Sequence, residues 1–94
     1  PGVPIGLLGH SMGGRAALHV ADDERIAAIV ALAPWVEGQD RPRAHRGLHV
    51  LFMHGSMDRM TSPRASRAMA TAMTKLGIDV SYESVKGDSH AMLR

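Results

Sequence analysis

Apolar residues along the chain fall into short blocks of two alternating kinds. Runs of strand length at Ile5 to Leu8, Ile26 to Ala33 and Leu48 to Met53 are separated by stretches with other spacing. Strand patterns that alternate with helix patterns predict a parallel sheet with helices packed on it. After the first run, a helix is expected from about Gly13 to Ala21, with Ala16, Ala17 and Val20 as a narrow stripe of small residues suited to close packing on a sheet. Asp22 and Asp23 mark its exit loop. Ile26 to Ala33 is apolar at every position, the pattern of a central strand covered on both faces, and Pro34 ends it because proline has no N–H to give a ladder. Residues Val36 to Gly47 carry charges, Gly38, Pro42 and Gly47 without a period, which predicts an exposed connection.

Leu48 to Met53 predicts the third strand, and His54-Gly55 starts the next turn. Ser62 before Pro63 reads as a helix N-cap with proline at the first helical position, and Ala65, Ala68, Met69, Ala72, Met73 and Leu76 then recur at helical spacing. Gly77 stops that helix from the C-cap side. Beyond it Ile78, Val80 and Tyr82 alternate with Asp79, Ser81 and Glu83, as in an edge strand with one wet face. Gly87, Asp88 and Ser89 form a loop that delivers His90, and Ala91 to Arg94 resemble the first turn of a helix. The expected architecture is α/β, a parallel sheet of about four strands with flanking helices.

Composition narrows the class. At 94 residues, with 45% hydrophobic and 21% charged residues, the chain is at most one globular domain with a small core. No apolar run approaches the roughly 20 residues that span a bilayer, so no membrane partner is expected. There is no cysteine, which excludes disulfides and thiolate metal sites but assigns no compartment. The net charge is +2, and the single Trp, Tyr and Phe are not interleaved with a basic patch, so nucleic acid is not an expected partner. His and carboxylate residues do not recur at metal-ligand spacing, and no cofactor is expected. Pro1 rather than methionine opens the chain with no signal-like segment before the first strand, so a processed or truncated product is expected.

The chemistry concentrates at the ends of strands. Gly9-His10-Ser11-Met12-Gly13 has the form Gly-x-Ser-x-Gly at a strand-to-helix junction. A tight turn there lifts the Ser11 hydroxyl clear of the sheet, and side chains at Gly9 and Gly13 would collide with it. Backbone N–H groups opening the helix then face the space above that hydroxyl, where an anion would be stabilised. In a parallel sheet all strand C-termini lie along one edge, which gathers Ser11, Asp58 and His90 in the chain order Ser, Asp, His. A serine hydroxyl needs a base to take its proton, and the imidazole that does so needs a carboxylate to fix its tautomer. Asp88 is the spare carboxylate. Of the other histidines, His10 and His54 are expected to pack beneath the turns, His19 to lie on a helix, and His45 and His49 to lie away from the important strand ends. Met12, Met57 and Met60 are wall or core, or they line an apolar acyl pocket. Trp35 is either a substrate platform or a cover for the sheet edge.

Taken together, Gly-His-Ser-Met-Gly-Gly at 9 to 14, His-Gly-Ser-Met-Asp at 54 to 58 and Gly-Asp-Ser-His at 87 to 90 resemble the C-terminal half of an α/β-hydrolase, over nearly the whole chain. The resemblance implies residues 1–94 as a partial domain, from the strand before the nucleophile to the loop of the catalytic histidine, matching the last four strands of a sheet of about eight. It implies Ser11 as nucleophile of a Ser-His-Asp triad with His90 and Asp58, and the Met12 N–H as one oxyanion donor, the other lying off this chain. With only Trp35 to Gly47 where family members insert a lid, the cleft is similar to those of lidless esterases of the dienelactone-hydrolase and cutinase kinds, with Trp35 and Met57 as substrate-binding residues. The implied substrate is a small carboxylic ester or related acyl compound. Thioesterase, lactonase, amidase and acyltransferase chemistry use the same residues and stay open. The other class that fits is a non-catalytic fragment or binding module that retains the turn as a scaffold. The first strand lacks the neighbour it has in the full sheet, so the chain alone is expected to aggregate, to self-associate through that exposed edge, or to fold with activity well below that of a longer parent.

Overall fold

The expected alternation becomes six elements: β1 (Ile5–His10), α1 (Met12–His19), β2 (Ile26–Leu32), β3 (His49–Gly55), α2 (Pro63–Lys75) and β4 (Asp79–Val85). The structure, a computed structural model, describes residues 5–37, 40–55, 58 and 60–85. Its strands form one sheet in the order β1-β2-β3-β4, and every neighbouring pair is parallel. β2 is central, as its composition predicts. β1 and β3 run further than expected because His10 still pairs with Leu32, and Gly55 with Val85. The turn that His54 and Gly55 were expected to start therefore begins after them.

Each strand neighbours the next in sequence, and such crossovers are right-handed, so both helices lie on one face of the sheet. Their inward residues share one core with Ile29, Ala31, Val50 and Phe52. The stripe of α1 differs from expectation: Gly14, Ala17 and Leu18 are buried, with Ala21 following, whereas Ala16 and Val20 are exposed. Gly14 sets this rotation, because a Cβ there would meet Pro34 Cβ at 2.9 Å. α2 likewise buries Ser66, Met69, Ala70 and Met73, leaving Ala68 and Leu76 exposed.

β2 is not covered on both faces among the described residues. Ile29 and Ala31 are buried, but Ala28, Val30 and Leu32 are only half-buried, because both described helices pack on the opposite side. Across this open face Leu8, Val30, Leu51 and Ser81 align in register, and Leu8 is 73% exposed. No helix among the described residues is long and apolar enough to cross a membrane.

The ends of α2 follow the sequence signals. The Ser62 hydroxyl accepts from Ala65 N–H at 3.0 Å. Gly77 adopts φ 85°, while Ile78 N–H reaches Met73 O and Gly77 N–H reaches Thr74 O, a Schellman ending. β4 has the expected wet face of Asp79, Ser81 and Glu83. On its other face Tyr82 stacks on Phe52 and its hydroxyl donates to Pro63 O, while burial pushes its pKa up.

The connection between β2 and β3 is irregular as expected, but it is anchored rather than simply exposed. Val36 is buried, and Arg15 of α1 donates from its two terminal guanidinium nitrogens to the Asp40 carboxylate at 2.7 and 3.0 Å. Burial pushes the Asp40 carboxyl upward, yet the Glu37 N–H and the Arg15 guanidinium outweigh it and hold its pKa below the ordinary value. A depressed folded pKa contributes stability that is present above the ordinary carboxylate value of about 3.9 and is lost as pH falls through the folded value. Asp40→Asn is therefore expected to destabilise the fold by about 1–3 kcal/mol at pH 7. Urea unfolding at pH 7 and at low pH checks this: the gap to the parent should shrink on acidification, and an equal gap at both would exclude the charge as its cause.

Candidate functional site at the strand ends

Ser11 occupies the turn between β1 and α1 with φ 57° and ψ −115°. For a non-glycine residue such a backbone costs about 1–3 kcal/mol and persists only where neighbours over-determine it. They do so here. Ser11 N–H donates to Leu32 O at 3.0 Å, and Ser11 O accepts from the N–H of Arg15 and of Trp35, each at 3.1 Å. Arg15 also donates from its side chain to Trp35 O. Ala33, at the end of the neighbouring strand, is strained too, with φ 43°, and its N–H donates to Met53 O at 2.7 Å. The ends of β1, β2 and β3 are thus tied in sequence across the sheet edge.

The glycines around Ser11 differ from expectation. A Cβ at Gly9 would lie 2.4 Å from Gly13 O, so only glycine lets α1 start against the strand. At Gly13 a Cβ meets nothing within 4 Å, among the described residues, and the expected collision there is absent. The helix-side glycine that the packing requires is Gly14, where a Cβ would lie 2.9 Å from Pro34 Cβ and 3.2 Å from Gly9 O. The Ser11 hydroxyl makes no hydrogen bond among the described residues and is half-buried.

Asp58 lies beyond the end of β3 at the same sheet edge, separated from the Ser11 strand by β2. Its side chain is fully buried. Oδ1 accepts from Met60 N–H at 2.8 Å and from Thr61 N–H at 2.9 Å, and Oδ2 accepts from the Thr61 hydroxyl at 2.6 Å. His54 packs under this turn as expected, but as a polar partner: its Nε2 lies 3.1 Å from Asp58 Oδ2 and 3.0 Å from Thr61 Oγ1, and its Nδ1 lies 2.8 Å from Ser66 Oγ. Ser66 and Thr61 were not singled out from sequence. The legible signal was a serine at a core-facing position of α2, in series with Met69, Ala70 and Met73.

Met12 opens α1, where first-turn N–H groups have no acceptor within the helix. Its side chain is 58% exposed and that of Met60 65%, so neither is core. Trp35 follows the Ser11 and Ala33 turns, is 37% exposed, and borders a small hollow with Leu18, Val36, Met69 and Met73 between the two helices. His45 and His49 sit away from this edge: His45 Nε2 lies against Ile26 O, and His49 pairs with Asp79. His19 ends α1, 3.7 Å from Asp40. Met57, Asp88 and His90 lie outside the described residues. The structure thus joins the Ser11 and Trp35 turns by hydrogen bonds and gives Asp58 its buried setting.

No family model matches the chain, and no curated protein matches it in sequence. Solved structures do match in fold. An enzyme described as an alpha/beta hydrolase, MGS-M1 from a Medee basin deep-sea metagenome library, aligns with TM-score 0.78 at 20% identity over 92% of this chain and 39% of its own. Esterase PE8 aligns with TM-score 0.79 at 22% identity over 95% of this chain and 43% of its own. Arabidopsis thaliana SOBER1 aligns with TM-score 0.78 at 21% identity over 94% of this chain and 45% of its own. The chain therefore spans less than half the length of each of these three proteins.

The turn geometry makes a pair of glycine substitutions diagnostic. Gly13→Ala places a methyl in open space within a helix and should be neutral or stabilise by about 0.5–1 kcal/mol. Gly14→Ala must push Pro34 away and should destabilise by about 1–3 kcal/mol, as overpacking does. Urea midpoints of the two variants measure the contrast, and similar losses at both positions would contradict this packing.

Proposed function

The fold is that of the α/β-hydrolases, and on that premise we propose that this chain is part of a serine hydrolase that cleaves carboxylic esters by acyl transfer. The observation that carries the proposal is the backbone of Ser11: a strained φ/ψ held by three neighbouring groups at a strand-to-helix turn, with a hydroxyl free of hydrogen bonds among the described residues. Strain maintained at a strand-to-helix turn of this kind is the setting in which a nucleophilic serine is presented. Residues 1–94 are in this reading part of a longer hydrolase domain, in keeping with the share of the matched structures that the chain spans.

In the proposed reaction Ser11 Oγ attacks the ester carbonyl while His90 takes its proton. The tetrahedral oxyanion is held in part by the Met12 N–H, the second donor coming from outside these residues. His90 then gives the proton to the leaving alcohol as its bond to the carbonyl carbon breaks, and water repeats the sequence on the acyl-enzyme. Asp58 orients His90 and stabilises its positive charge. Trp35, tied through its backbone to Ser11, and Met57 border the substrate. The esterase name of one matched structure favours an ester substrate, while thioester, lactone and amide substrates would use the same residues.

A fluorophosphonate probe, which needs an activated hydroxyl, is expected to label Ser11 of the folded chain. Ser11→Ala should abolish labelling, and where hydrolysis is measurable it should cost on the order of 10⁶ in turnover. Asp58→Asn should cost about 10⁴ and Asp88→Asn far less. A folded chain whose Ser11 stays unlabelled would favour the non-catalytic scaffold instead.

We further propose that, in the 94-residue chain taken alone, β1, an edge strand with Ile5 42% and Leu8 73% exposed, pairs with a second copy of the chain. Sedimentation should show concentration-dependent association that Leu8→Lys weakens. A monomer at all concentrations would refute the pairing.

A further inference from the structure

The buried cluster under the Asp58 turn determines its own protonation. Thr61 has one hydroxyl proton, and at 2.6 Å it is donated to Asp58 Oδ2. Toward His54 the Thr61 oxygen can then only accept. His54 Nε2 therefore faces two acceptors, the Asp58 carboxylate at 3.1 Å and the Thr61 oxygen at 3.0 Å, and it must carry a proton. On the opposite side of the ring, Nδ1 faces Ser66 Oγ at 2.8 Å. Ser66 is fully buried, and His54 Nδ1 is the one partner of its hydroxyl among the described residues. A buried hydroxyl whose proton pointed elsewhere would leave it unsatisfied, so Ser66 donates and Nδ1 accepts. The imidazole is then neutral with its proton on Nε2.

We infer that His54 is a positioning residue for Asp58, held as the neutral Nε2–H tautomer by the Ser66 hydroxyl. The inference rests on the proposed role of Asp58 as the acid of a Ser-His-Asp triad. The donors that hold the carboxylate here are two backbone amides, the Thr61 hydroxyl and the neutral His54 ring. Each of these four fixes its orientation without bringing a formal positive charge. A cationic His54 would form a buried ion pair with Asp58 and spend the charge that the catalytic histidine needs as it becomes an imidazolium. The chain from Ser66 on α2 through His54 on β3 to Asp58 thus lets the sheet-facing side of a helix set the angle of a carboxylate at the sheet edge.

Two measurements on the 94-residue chain test this. Nitrogen-15 NMR of the His54 ring at neutral pH needs no catalytic activity: a neutral ring with the proton on Nε2 is expected in the parent, and Ser66→Ala should disturb it. A parent ring that is cationic, or protonated on Nδ1 alone, overturns the inference. The second measurement is the pH profile of fluorophosphonate labelling at Ser11. Replacing His54 by leucine should slow labelling about ten- to a hundredfold, the size found when partners that orient functional ligands are removed. It should also move the low-pH limb of the profile downward, in the same direction as Asp58→Asn, because a misaligned carboxylate stabilises the imidazolium less. His54→Gln keeps an N–H donor and should recover part of both effects, which a purely structural role would not produce, and it replaces the leucine variant if that one does not fold. A parent that labels, with folded His54 variants matching its rate and limb, overturns the inference alone. A parent that is not labelled overturns the triad reading, and the NMR result still decides the tautomer.

Discussion

The turn at Ser11 depends on a contact that no side chain could make. Gly9 lies so close to the backbone of Gly13 that a single added carbon would fall 2.4 Å from a carbonyl oxygen. That approach lets α1 begin immediately after β1. The same closeness brings Gly14 against Pro34, which carries the end of β2 to the Ser11 turn and allows Trp35 N–H to bond Ser11 O. Glycine costs more conformational entropy on folding than other residues, and Ser11 adds backbone strain to that cost. The return is a rigid junction in which three strand ends are fixed relative to one another by main-chain hydrogen bonds rather than by mobile side chains.

Much of this was legible in the sequence where local physics decides. Ser62-Pro63 and Gly77 marked the ends of α2 because caps are local interactions, and the alternation in β4 identified a half-wet edge because the pleat has period two. The extent of β1 and β3 was less legible, since His10, His54 and Gly55 have weak strand preference and are held by ladder partners far along the chain. The rotation of α1 was missed for a related reason. Counting apolar residues pointed to Ala16 and Val20, while the inward face is set by Gly14, a residue with no side chain to count. The Arg15 and Asp40 pair joins residues 25 apart, and no local pattern predicts that a polar connection will be pinned this way. The uniform apolarity of β2 implied cover on both faces, whereas the described residues cover one.

The setting of Asp58 answers a different constraint. A carboxylate removed from water is costly unless its oxygens are satisfied. The turn solves this with amides from its own backbone, a hydroxyl from Thr61 and a ring from His54. This explains why a core-facing position of α2 is serine. An alanine at 66 would pack as well against the sheet, but it would leave His54 Nδ1 without its donor.

Departures from local preference are not scattered over the molecule. Ser11 and Ala33 are the described non-glycine residues with positive φ, and both lie at the C-terminal ends of neighbouring strands. The buried carboxylate and the buried polar ring lie at or just beyond the end of the next strand. At the opposite ends of the strands the polar groups behave ordinarily, as in the exposed pair of His49 with Asp79. Local rules fail together at this edge while the remaining elements obey them, the pattern expected of a functional site, and it is there that the proposed chemistry is placed.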